Sequence, residues 1–132
     1  MANITKTNND TGSVVVEHGE YQDDLLTFAG ADTYVEGTIL ARDSATLKLI
    51  AFVKGGVANG NGVPKTVLTY EVVATGAGDI AVRAPLSGKF VKSRLVIDAD
   101  GDDSNVDAAV KDELRAFNCE VVSATELNIY DN

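Results

Sequence analysis

The sequence predicts a mainly β fold: a small barrel or sandwich of short strands, with one helix in its C-terminal half and a disordered N-terminal arm. Three observations carry this. Residues 37–96 are a series of short apolar β-type runs cut by turns rich in glycine, asparagine and aspartate, the spacing of small barrels and sandwiches. Residues 104–117 hold a helical period. Residues 1–12, MANITKTNNDTG, are polar and without period, so they bury too little apolar surface to offset the entropy of ordering. The chain has 132 residues, 45% of them hydrophobic. That suits one packed domain, taken as residues 17–132 behind an arm of residues 1–16.

In chain order, Ser13, Val14, Val15, Val16 and Glu17 come first, three β-branched residues at the end of a polar tail. This stretch reads equally as the first strand of the core and as a strand that pairs with the sheet edge of a partner. Residues 18–37 carry Glu20, Asp23, Asp24, Asp32 and Glu36, with no Lys or Arg between Lys6 and Arg42. Together with the tail they are expected to form a negative arm, with the short piece Leu25, Leu26, Thr27, Phe28 docked on the domain.

Five core strands follow: 38–41, 46–53, 66–73, 79–83 and 88–96. Asp43 and Ser44 form the first turn, and Gly55 to Gly62 a long loop of positive-φ formers. That loop lacks the phosphate-binding G-x-x-x-x-G-K-[ST] pattern. Pro64 suits a strand start. The acidic turn 98–103 fails as a calcium loop, because its glycine stands fourth and Ala109 twelfth, where glycine sixth and glutamate twelfth are needed.

In the helix, Val106, Val110, Leu114 and Phe117 share one face. Ser104 is the expected N-cap, paired with Asp107 in a capping-box-like arrangement. Asn118 is placed to end the helix in the left-handed conformation. A last strand is expected over 120–130, with Leu127 and Ile129 on one face and Asn128 and Tyr130 on the other.

Composition bounds the function. The net charge is −9 and the sequence pI about 4.4, which disfavours nucleic acid and anionic membranes as partners. The lone cysteine, Cys119, precludes an intrachain disulfide and reads as a buried small side chain. No run reaches the ~20 apolar residues of a membrane span. The N-terminus lacks a signal-peptide pattern, so synthesis in a cytoplasm is expected. The single histidine, His18, excludes a His-pair metal site. The carboxylates lie in tails and turns, and the absence of tryptophan leaves poor provision for a stacking platform. No catalytic site, metal site or cofactor is expected.

The order of features carries a resemblance. A polar arm precedes Gly37-Thr38-Ile39-Leu40-Ala41 and Leu47-Lys48-Leu49. Gly62-Val63-Pro64-Lys65-Thr66-Val67-Leu68, Ile80-Ala81-Val82, Gly88-Lys89-Phe90 and Leu95-Val96 follow, then the acidic stretch, the helix and a terminal strand. This series resembles the head decoration proteins of tailed phages, the family of the phage lambda capsid-stabilising protein. The resemblance implies a small β-rich fold and a homotrimer standing on three-fold positions of the expanded head. It implies that the major capsid protein is the partner and that an N-terminal arm adds a strand to it. By position, Ser13, Val14, Val15, Val16 and Glu17 are the capsid-binding candidates. The protein is then a virion component of the outer capsid surface, made in the host cytoplasm. A tail or connector component and a small receptor- or carbohydrate-binding module are the competing readings.

Overall fold

The computed structural model describes residues 13–123. Its strands are β1 (Val15–His18), β2 (Tyr21–Phe28), β3 (Asp32–Tyr34), β4 (Ile39–Arg42), β5 (Leu49–Ala51), β6 (Pro64–Val67), β7 (Val72–Ala74), β8 (Gly78–Pro85), β9 (Gly88–Val91) and β10 (Cys119–Val122). One α-helix, α1 (Ala108–Ala116), precedes β10. The strands form a five-stranded sheet in the order β6-β4-β5-β2-β8, a three-stranded sheet β1-β9-β10 and a two-stranded sheet β3-β7. The mainly β, sandwich-like architecture with a single α-helix is the one the sequence predicts.

Strand β4 divides the interior. Ile39 and Ala41 point into a core with Val14, Phe90, Leu114 and Cys119. Leu40, between them, points into a second core with Leu26, Phe28, Leu49 and Val82. A strand covered on both faces needs apolar residues at every position, which is why this run shows no alternation. Immediately before it, Gly37 has a φ of 96°, and a Cβ there would overlap the Arg94 carbonyl. No other residue type fits that approach.

Several expected boundaries move. The run 46–53 yields only β5, because Leu47 adopts a left-handed backbone with φ 64°. Its N–H donates to the Asp43 carbonyl and its own carbonyl accepts from Arg42 Nη1, both at 2.8 Å, so the turn extends through it. The run 66–73 divides into β6 and β7, which belong to different sheets. The chain bends after Leu68, whose N–H bonds Thr38 and whose carbonyl accepts from Gly37. The run 88–96 ends as a strand at Val91, and a 3-10 turn, Lys92–Arg94, follows.

The helix starts later than expected. Its N-cap is Asp107, whose Oδ1 accepts from the Val110 N–H at 3.1 Å. Ser104 is held outside the helix by a 3.0 Å bond from its own N–H to Asp102 Oδ1. Aspartates that bond nearby backbone compete with helix formation in this way. Val110 and Leu114 are buried as predicted, and Asn118 takes the left-handed φ of 68° that stops the helix. Phe117 lies at the C-cap and is exposed rather than core.

Residues 20–28 are not part of an arm. Strand β2 spans most of them and runs antiparallel to β8 from Tyr21↔Pro85 to Phe28↔Gly78. Acidic residues are tolerated there because Asp24 meets Arg42 at 2.7 Å and Asp23 meets Arg83 at 3.1 Å. Leu26 and Phe28 fill the second core. The expected disorder of residues 1–12, and Leu127, Asn128, Ile129 and Tyr130 of the expected last strand, lie outside the described residues.

Candidate functional site

Residues 13–17 form the root of β1. Val15 opposes Phe90, Glu17 opposes Lys89 and His18 opposes Gly88 in an antiparallel ladder with β9. The register shifts between Val15 and Glu17, so Val16 is the extra residue of a bulge and remains 41% exposed. Bulges occur at sheet edges and turn a side chain outward. Among the described residues, the other edge of β1 has no strand beside it in the three-stranded sheet.

The five residues have different environments. Val14 is fully buried, its N–H donates to Glu36 Oε2 at 3.0 Å, and its carbonyl accepts from Val91 at 2.8 Å. Ser13 Oγ accepts from the Val15 N–H at 3.0 Å, and Val15 packs on the core around Phe90. Glu17 is exposed and lies 3.7 Å from Lys89 Nζ. Val14 and Val15 therefore belong to the fold, whereas Val16 and Glu17 face solvent. His18 is ordered at the end of β1, with Nδ1 2.9 Å from the Tyr21 hydroxyl.

Electrostatics single out a second region. Burial, then the charges of Asp98 and Asp32, raise the Tyr34 phenol above its usual pKa. Partial burial and the Asp32 charge push the Asp98 carboxyl up. Elsewhere carboxylates are held down by partners: Asp79 by Lys48 and Thr27, and Asp107 by Lys54 and the Val110 N–H. Burial lifts the Cys119 thiol to about 11, which removes it as a nucleophile near neutrality. Among the described residues no group of three or more His, Cys, Asp or Glu is placed to hold a metal ion, and no helix is long and apolar enough to cross a membrane.

Sequence reasoning missed the end of the five-stranded sheet where Leu47 and Val63 are exposed. The signal available was apolar residues inside turn-forming stretches. A family model described as Bacteriophage lambda head decoration protein D matches residues 3–119. No curated protein and no solved structure gives a match.

Proposed function

Since this chain belongs to the family of the bacteriophage lambda head decoration protein D, we propose that it binds the outside of the expanded head as trimers at three-fold positions and stabilises the shell against the pressure of the packaged DNA. The family is structural rather than enzymatic, and a head decoration protein is a component of the virion. Its partner in this reading is the major capsid protein of a tailed phage, met in the host cytoplasm where both are made.

The match over residues 3–119 carries the reading. The edge of β1 that has no strand beside it among the described residues supports a contact there: main-chain groups on an open edge accept an added strand. In this proposal residues 1–16 are the arm, and Ser13, Val14, Val15, Val16 and Glu17 are where it meets the capsid. Val14 and Val15 anchor the strand while Val16 and Glu17 face the shell. A single short strand is a weak binder, and three on one trimer raise the effective concentration of each.

Co-sedimentation with expanded and unexpanded heads tests this, using the full chain and a form lacking residues 1–12. The deletion stops before Val14 because that side chain is fully buried in the core. Saturable binding to expanded heads, weakened by the deletion, is expected. Absence of binding to either head would overturn the reading.

A further inference from the structure

The loop between β5 and β6 holds the chain's two Asn-Gly pairs, Asn59-Gly60 and Asn61-Gly62. The asparagine amide is thermally labile. It is most so before glycine, which has no Cβ to keep its own backbone nitrogen away from the asparagine Cγ. In sequence the two pairs are equivalent. The fold makes them different.

Asn61 is held on every side. Its side-chain Oδ1 accepts from the Ala58 N–H at 3.2 Å. Its own N–H donates to the Ala58 carbonyl at 3.0 Å, and its carbonyl accepts from the Val53 N–H at 2.8 Å. Gly62, which carries the nitrogen that would attack, is packed so closely that a Cβ there would overlap the Gly56 carbonyl. Both residues are half-buried.

Asn59 has none of these restraints on its side chain. It is exposed, and its amide makes no hydrogen bond among the described residues. With φ 52° at Asn59 and 82° at Gly60, the pair forms the centre of a tight turn of the I′ kind. The Gly60 N–H makes no hydrogen bond among the described residues. The peptide plane between them is fixed by one 2.9 Å bond, from the Ser44 N–H to the Asn59 carbonyl. Ser44 is exposed as well, so water can replace that bond at little net cost. The plane can then swing the Gly60 nitrogen toward the Asn59 side chain.

We propose that Asn59 is a site of spontaneous deamidation, and that the fold protects Asn61. The Gly60 nitrogen gives up its proton to solvent base and bonds to Asn59 Cγ. The Cγ–Nδ2 bond breaks, and Nδ2 leaves as ammonia after taking a proton from water. Water then opens the resulting succinimide. Attack at Cγ gives aspartate on an unaltered backbone. Attack at the main-chain carbonyl gives isoaspartate, with the chain rerouted through the former side chain. Water is the only co-reactant, and no enzyme is required.

Either product places a new carboxylate beside Gly60, which lines a shallow concavity of about 260 Å³ with Arg42, Leu47 and Lys65. One negative charge is thereby added to residues 42–65, where Arg42, Lys48, Lys54 and Lys65 stand against Asp43 alone. Isoaspartate also inserts a main-chain carbon into the turn. That displaces the carbonyl that ties the glycine-rich loop to the β4–β5 turn through Ser44.

The test incubates the full chain, native and in urea, in mildly alkaline buffer. Mass spectrometry follows the peptide between Lys54 and Thr66, which carries both pairs. In the native protein Asn59 should convert at least about tenfold faster than Asn61. In urea the two rates should come within about threefold of each other, because the fold no longer distinguishes them. Both should rise with pH, since the attacking nitrogen must lose its proton. Asn59→Gly, which accepts the positive φ, should abolish the fast-forming acidic species and leave the slow Asn61 reaction. Equal native rates, or a faster Asn61, overturn the proposal. So does an Asn59 that is silent in the native protein while it reacts in urea, which would show that the turn holds it. A tenfold preference that persists in urea would assign the difference to local sequence and remove the role of the fold.

Discussion

Thr66 Oγ1 donates a buried 2.7 Å hydrogen bond to the carbonyl of Pro85. Thr66 lies on β6 and Pro85 on β8, the two edge strands of the five-stranded sheet. The sheet therefore curls until its edges touch through a side chain, without a backbone ladder to close it. Replacing Thr66 by valine keeps the shape and leaves the Pro85 carbonyl without its donor. A loss of about 1–3 kcal/mol is expected, measured by urea unfolding, with Thr66→Ser losing less.

Leu47 should respond in the opposite sense. Its left-handed backbone, φ 64°, costs a branched residue about 1–2 kcal/mol, and its side chain is exposed. Leu47→Asn should therefore stabilise the domain by about 1 kcal/mol, because asparagine tolerates that conformation. An unchanged or lower urea midpoint would show that the Leu47 side chain contributes to the isolated fold.

Val14 and Val16 separate folding from binding. Val14→Ala removes buried methyl groups and should cost about 1.5–3 kcal/mol at most, with head binding preserved below the unfolding temperature. Val16→Asp lies on the exposed bulge and should alter stability by less than about 0.5 kcal/mol. If the open edge of β1 meets the shell, the same change should weaken head binding about tenfold or more. Equal binding by both variants would move the contact off this strand.

Asp98 predicts a pH dependence. Its folded pKa is raised by partial burial and by Asp32, so the folded state holds this proton more tightly than the unfolded state. The contribution is favourable below the unfolded value and is lost as pH rises through the window up to the folded value. Asp98→Asn should raise Tm slightly at neutral pH and leave it unchanged at pH values below about 3. The effect is small because the carboxyl is only partly buried and solvent screens much of its charge.

Cys119 should be chemically silent while the domain is folded. With the thiol buried and its pKa near 11, alkylation at pH 8 should proceed only as fast as the protein opens. A native-state rate matching that of a free thiol would contradict the burial.

The sequence exposed local chemistry better than long-range pairing. Strand β8 and the stop at Asn118 were legible because Ile80, Val82 and a left-handed asparagine act over a few residues. Strand β2 was misread as arm because its acidic face is neutralised from afar: the Asp24 partner Arg42 is 18 positions away, and the Asp23 partner Arg83 is 60 away. The same limit applies at the candidate site. The β-branched run Val14, Val15, Val16 announces a strand. Nothing in it announces that its partner is the chain's own Phe90.

The three-stranded sheet also governs how this protein is made. Strand β9 is flanked by β1, which precedes it by some seventy residues, and by β10, which lies beyond the helix. Val14 and Val122 lie on either side of Val91, so a sheet that helps to seal the main core is assembled from strands far apart in sequence. Such non-local pairing is slow to form. A nascent chain leaving the ribosome carries β1 exposed until both later strands have emerged. Synthesis must therefore pass β10 before the three-stranded sheet can close, and unclosed chains are the stage at which strand-to-strand aggregation competes with folding.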